Sequence, residues 1–485
     1  MRIILKSVPL AILALATAGC STPPPVAMNP AELPKIYTAP LVAGAQKELS
    51  VDWWKSFSSP ELTSLTEASA TGNLDLAVAA ARVLQAQAQA GLATSSLFPT
   101  VDLNGSAKRQ GSKNPNITYN TFGASLGASY ELDFWGLAQD NMRAARNSAR
   151  AAIYSREVVA LTTSANVANT YFSVLSLRER ISISKRNIEA AKRILAITQA
   201  KVTNGVSSNL ELAQQTAIVA GEEAQVPALE EQEREQRYAL AILLGRVPEG
   251  FDETADSLEG IVVPPVEPGL PSALLQRRPD IAEAEANLFA AHANLDAARA
   301  AFLPAIGLTG SGGYTGSQIA NLINPSNLAW SVGASLLQTI FDGGKLTSQR
   351  DYAKGQEIEL VATYRHTVLN ALSDVETVLG SASSLAERER LTQEEVDNAA
   401  EAFRISELQY REGVVDLLTV LQAQQTLFSS QDTLVQVKLA RLQAGVGLYR
   451  ALGGGWTVAA EADTPTRNDF VPVPDFTDLP VANPF

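Results

Sequence analysis
Apolar positions along this chain switch between a helical period and a period of two, and they do so twice in the same order. Residues 61–97 hold good helix formers apart from Gly72 and Gly91, and end before Phe98-Pro99. Then Val101, Leu103, Gly105 and Ala107 alternate with Asp102, Asn104, Ser106 and Lys108, and after a polar loop Phe122, Ala124, Leu126, Ala128, Tyr130 and Leu132 alternate with small or polar residues. Such alternation predicts strands at about 98–108 and 120–132, apolar on one face only. Residues 137–203 follow without Gly or Pro, enough for a helix of roughly 100 Å at 1.5 Å per residue. Within it Val158, Leu161, Ala165, Ala168, Phe172 and Leu175 form a 3-4-3-4 seam of the coiled-coil kind. A return helix is expected over 207–245, with a kink or break where Gly221 and Pro227 interrupt it.

The second half repeats this. Strands are expected at about 303–311 and 328–341, a long helix over 345–411 with a seam from Tyr364 to Leu385, and a return helix over 416–452. Gly205 meets Gly413, Leu210 meets Leu418, Gln214 meets Gln422, Leu240 meets Leu448 and Gly245 meets Gly453, all at an offset of 208. Upstream the offset is 205, as between Asp75 and Asp280 or Pro99 and Pro304. Self-similarity of this length sets the architecture. The organisation is therefore a first copy over 61–245, a Pro-rich linker over 246–272 and a second copy over 273–455. A tail over 456–485, rich in Asp and Pro, carries no chemical signal.

Soluble antiparallel strands alternate as well, so four strands of a sandwich is the alternative on pattern alone. The long helices weigh against it, because no compact domain needs them. Four strands cannot close a transmembrane barrel, whose smallest members use about eight. An open edge in lipid leaves backbone groups unpaired. Strands in a membrane therefore require several copies of the chain, and three would supply about twelve strands.

The N-terminus changes the picture further. Arg2 and Lys6, an apolar stretch from Val8 to Ala16 and small residues before Cys20 make residues 1–19 a targeting segment. It resembles a bacterial lipoprotein signal, which implies a covalent lipid on Cys20 and a tether over 20–60; a plain secretory signal is the alternative. Ser21 after the cysteine favours the outer membrane within that class. Cys20 is the only cysteine, so there is no disulfide framework. Loss of residues 1–19 moves the formal charge from −13 to −15, which argues against a nucleic-acid partner.

Enzymatic and metal chemistry find no support. Neither His292 nor His366 has a second His or a Cys at ligand spacing. Gly343-Gly344-Lys345 lacks the Ser or Thr and the glycine spacing of a phosphate loop, and reads as a strand-to-helix turn. No cofactor is expected beyond the lipid.

Across nearly the whole mature chain the sequence resembles the outer-membrane efflux lipoproteins of the TolC superfamily, OprM/NodT branch. WWKSF (53–57), YELDFWG (130–136), LLQRRPDIAEAEANL (274–288), IFDGGK (340–345), GVVDLLTVLQAQQTLF (413–428) and LYRALGGGW (448–456) carry the likeness. It implies an α+β membrane protein: a homotrimer sharing a 12-stranded β-barrel in the outer membrane, with a long α-helical barrel in the periplasm. It also implies docking through a periplasmic adaptor to an inner-membrane pump of the RND type, and passive conduction of drugs or toxic solutes. A type I protein-secretion outlet and a lipid-anchored periplasmic scaffold are the rival readings. The turns at Gly205 and Gly413 then belong at the periplasmic tip, where the family constricts its pore. Glu412 and Asp416, with Asn209 in the first turn, are the candidate gate residues, since an acidic ring favours cations. Alternatively, both acids only solvate and cap a helix start.

Overall fold
The computed structural model describes residues 33–39, 50–113, 116–454 and 456. Cys20 and the tail beyond Trp456 lie outside these, with the lipid and tail expectations that rest on them. In order, the elements are α1 (Pro60–Gly72), α2 (Leu74–Ser95), β1 (Thr100–Lys113), β2 (Asn116–Leu132), α3 (Leu137–Thr203), α4 (Asn209–Leu243), α5 (Pro279–Ala300), β3 (Ala305–Gly316), β4 (Leu328–Leu337), α6 (Lys345–Arg411) and α7 (Leu417–Ala451). Over the described residues two compact units emerge. One draws on residues 82–113, 116–153 and 283–366, the other on residues 33–39, 50–81, 154–282, 367–454 and 456.

The first unit holds a four-stranded antiparallel sheet in the order β1-β2-β3-β4. Val101 faces Ala128, Leu126 faces Gly312, and Gly312 faces Trp330 across the ladder. Strand ends differ from the periodicity. β1 and β2 extend through the polar stretch to Lys113 and Asn116, and β3 runs on to Gly316. Backbone pairing there outlasts the apolar alternation that betrays a strand to the eye. β4 instead stops at Leu337, short of 341. Each strand pair leads into its long helix through an aspartate. Asp133 accepts from the N–H groups of Ala138 (3.1 Å) and Gln139 (2.8 Å), and Asp342 from those of Gly344 (2.9 Å) and Leu346 (2.8 Å). The glycine pair 343–344 is therefore part of a carboxylate-capped helix entry.

The second unit buries the seam residues Ala165, Ala168, Phe172 and Leu175 of α3 and Val368, Ala371 and Val375 of α6. The short 3-10 turn Trp53–Phe57 plugs into this helical body. Trp53 stacks on Tyr449 at 5.3 Å and Phe57 meets Phe172 at 5.4 Å. Each such side chain withdrawn from water contributes about 1.5–3 kcal/mol. The linker between the copies is pinned by charge. Arg178 donates to the carbonyls of Glu253 (3.0 Å) and Ala255 (2.8 Å) and pairs with Glu233 (3.0 Å). Glu61 accepts from the N–H groups of Thr254 (2.7 Å) and Ala255 (3.1 Å).

Two expectations fail here. The helix over 61–97 is two helices, because Asn73 takes an extended conformation and caps α2 by accepting from Leu76 N at 3.0 Å. Of the kink or break expected in the return helix, the break does not occur: α4 continues through Pro227 from Asn209 to Leu243. Proline removes one backbone donor, and burial of neighbouring side chains such as Val219 and Leu229 outweighs that loss.

Candidate functional site
The sheet has two chemically opposite faces. On one, Val101, Leu103, Leu126, Leu308, Trp330 and Val332 stand exposed, with Trp330 77% and Val332 81% accessible in the single chain. The paired positions on the other face are small or polar, with several hydroxyls among them. Thr100 Oγ1 meets Ser129 Oγ at 2.7 Å, and Ser311 Oγ meets Ser331 Oγ at 2.9 Å. A continuous exposed apolar face marks contact with lipid or protein rather than water. Strands of 10 to 17 residues suffice to cross the hydrocarbon, which takes about 9–11. β1 and β4 each pair on one side only, so within lipid the sheet must close against further strands. No helix among the described residues is long and apolar enough to cross a membrane.

Two turns join the long helices to their return helices, and both use one device. Gly205 at φ +73° donates to Val202 O (2.9 Å) and Val206 to Lys201 O (2.8 Å). Gly413 at φ +77° donates to Tyr410 O (3.1 Å) and Val414 to Gln409 O (2.8 Å). This is the Schellman cap, whose left-handed position is strained for any residue with a β-carbon. Asp416 then caps α7, accepting from Thr419 Oγ1 (2.7 Å) and Thr419 N (3.0 Å). Those bonds, the hydroxyl first, hold its carboxyl below the usual range. Glu412 ends α6 as an exposed residue donating its own N–H to Leu408 O at 3.1 Å.

In the first turn the helix cap is Ser208. Ser208 accepts from Glu211 N at 3.3 Å, and the Glu211 carboxylate accepts from Ser208 N at 3.3 Å. Asn209 is the first helical residue and is exposed. The repeat offset places Ser208 opposite Asp416, a signal that was available in the sequence. Behind the turns, Ile194 of α3, Phe403 and Tyr410 of α6 and Leu417, Val420 and Phe428 of α7 share one apolar cluster. Lys201 Nζ lies 4.2 Å over the Tyr410 ring, and Thr198 Oγ1 is 3.1 Å from its hydroxyl. The second turn thus projects the exposed acids Glu412 and Asp416 beyond this packed cluster.

His292 is buried on α5, its Nδ1 2.7 Å from Glu357 and its Nε2 3.7 Å from Asp296. The carboxylates address opposite ring nitrogens, so they cannot share one ion with it. His366 lies on α6. Among the described residues no group of three His, Cys, Asp or Glu is arranged to hold a metal.

The profile of outer membrane efflux proteins matches residues 65–246 and 270–454. The chain belongs to that family. It is 40% identical to the pyoverdine export outer membrane protein OpmQ of Pseudomonas aeruginosa, over 83% of this chain and 87% of that one. It is 29% identical to the cation efflux system protein CusC of Escherichia coli, over 91% and 97%. Among solved structures it resembles the outer-membrane channel OprN with a TM-score of 0.82 and 28% identity, over 87% and 98% of the two chains. The open state of the Neisseria gonorrhoeae MtrE outer membrane channel gives a TM-score of 0.80 and 28% identity, over 89% and 96%. The fold is therefore that of the TolC-like channels, the protein is an outer-membrane efflux protein, and its relatives are channels rather than enzymes. The two matched stretches correspond to the two copies in the sequence.

Proposed function
We propose that this chain is the passive exit duct of a tripartite efflux pump, acting as a homotrimer whose shared barrel holds four strands from each copy. The observation that carries this is the sheet: apolar on one face, hydroxylated on the other, and open at both edges. In this reading Cys20 carries a lipid, a periplasmic adaptor joins the chain to an inner-membrane pump of the RND type, and energy coupling resides in that pump. Glu412 and Asp416 line the tip of the helical barrel, where an acidic ring favours cations.

The relatives support a reading of the cargo. Two proteins at 40% and 38% identity, from Pseudomonas aeruginosa and Pseudomonas putida, are both named for pyoverdine export. We infer a secreted iron chelator of that kind as a substrate. Deleting the gene in its native host under iron limitation tests this. Chelator retained in the cells with an unchanged exported-protein profile supports the reading. A missing exported protein with normal chelator release moves the function to protein secretion.

A further inference from the structure
Between α3, α4 and α7, wholly inside the second unit, lies a crevice of about 450 Å³ with walls that include Ile183, Ile218, Leu421 and Phe428. Three polar groups along it lack partners. Gln424 is 1% exposed, yet neither atom of its side-chain amide makes a hydrogen bond, and the buried Ser184 hydroxyl is in the same state. A buried polar group left unpaired costs about 1–3 kcal/mol, so such groups mark places where something binds. The third is Glu222, which lines the crevice and makes no ion pair among the described residues. Burial first, and then the neighbouring Asp432, push its pKa up. Asp432 itself is neutralised by Arg180, with contacts of 2.6 Å and 3.3 Å. Glu222 therefore supplies the net charge of the crevice.

Water can satisfy an amide and a hydroxyl, whereas a carboxyl in a partly apolar crevice either keeps its proton, as the upward shift favours, or pairs with a bound cation that restores its charge. Open space lies beside Gly221, where a β-carbon built on the backbone meets nothing within 4 Å. By the repeat offset the counterparts of Gly221 and Glu222 are Ser429 and Ser430, so the acid occurs in one copy only.

We propose that this crevice is a binding site for a small organic cation with an apolar body, its ammonium paired with Glu222 and hydrogen-bonded by Gln424 and Ser184. An ammonium offers three donors, matching three acceptors of this kind. Ile183, Ile218, Leu421 and Phe428 receive the apolar body. Occupancy once per chain is expected.

The probe is dansylcadaverine, a fluorescent primary amine, titrated into the full chain in detergent beside the neutral dansylamide. Saturable binding of the amine is expected, at least tenfold tighter than that of the amide. Glu222→Gln weakens it at least tenfold and Gly221→Phe abolishes it, while the exposed Glu235→Gln leaves it unchanged. Should Gly221→Phe fail to fold, Gln424→Met, isosteric and unable to accept strongly, serves in its place and weakens binding severalfold. Equal binding by wild type and Glu222→Gln, or no saturable binding of the amine, overturns the proposal and leaves the crevice to water. The readout involves no transport step, so it stands or falls separately from the export reading.

Discussion

Asn73 and Arg278, at equivalent positions of the two copies, make the same bond: Asn73 Nδ2 donates to Leu243 O at 2.8 Å, and Arg278 Nη1 to Ala451 O at 3.0 Å. Each ties the break before a strand-bearing helix to the C-terminal carbonyls of a return helix, which otherwise lack partners. Arg278 also pairs with Asp280 (2.7 Å) and Asp374 (3.2 Å), with 11% of its side chain exposed. Arg278→Ala is expected to cost about 2–3 kcal/mol, as it strands a carbonyl and a partly buried carboxylate. Asn73→Ala loses one cap and one bond, about 1–2 kcal/mol. Thermal denaturation of the two variants in detergent checks the order, and a milder Arg278 variant contradicts it.

The Schellman glycines separate two kinds of strain. A β-carbon on Gly205 meets nothing, so Gly205→Ala pays only for the left-handed backbone, about 1–2 kcal/mol. On Gly245 the same atom would lie 2.0 Å from Gly72 O, so Gly245→Ala must also push α1 away from α4. Denaturation midpoints should fall clearly further for Gly245→Ala. Equal losses would mean that the close approach at Gly72 relaxes freely.

The two faces of β4 should respond oppositely to charge. Val332→Lys places an ammonium on the lipid side, at a cost of about 2–4 kcal/mol near the bilayer midplane. Ser331→Lys faces the lumen side; it should fold and instead lower the preference for cations in planar-bilayer recordings. Normal assembly of Val332→Lys beside failure of Ser331→Lys would reverse the assigned faces.

At the tip, Asp416→Asn retains an oxygen to accept from Thr419 and removes the charge, whereas Asp416→Ala removes both. Cation preference or leakiness of single channels should change in both variants. Only the alanine variant should also lose stability, by about 1 kcal/mol. Unchanged selectivity in Asp416→Asn would reduce the carboxylate to a helix cap.

Glu61 supplies a pH dependence. Partial burial raises its pKa, but the Thr254 N–H and hydroxyl, the Tyr171 hydroxyl and the Ala255 N–H outweigh that, and the net shift is downward. A depressed carboxyl stabilises the fold above its unfolded value and loses that contribution as pH falls through the folded one. Cleavage of the linker near Thr254 by an acid protease should therefore rise below the ordinary glutamate pKa. Glu61→Gln should show raised cleavage already at neutral pH.

The fold class was legible because two features survive without any contact map: a period of two on one face, and a repeat across half the chain. Helix breaks were less so. Asn73 ends α1 next to Gly72, where its side chain both caps α2 and donates to Leu243 O, 170 positions away. Pro227 looked like a break and is not one, since packing of α4 decides there. The strand ends beyond Ala107 and before Phe122 escaped notice because backbone pairing needs no apolar side chains. At the turns, Asp416 stood out by its charge, while Ser208 is an ordinary residue type whose role only the repeat offset reveals. The crevice of Glu222 and Gln424 brings α7 against the consecutive helices α3 and α4, about 200 positions away in the chain, and no spacing along the sequence announces it.

The most direct test of the account is native mass spectrometry of the full chain released from outer membranes in mild detergent. Three copies, each carrying the added mass of a lipid, are predicted, because the sheet cannot remain in a bilayer with β1 and β4 unpaired. A monomer that stays in solution without detergent would contradict the closed barrel, and with it the exit duct.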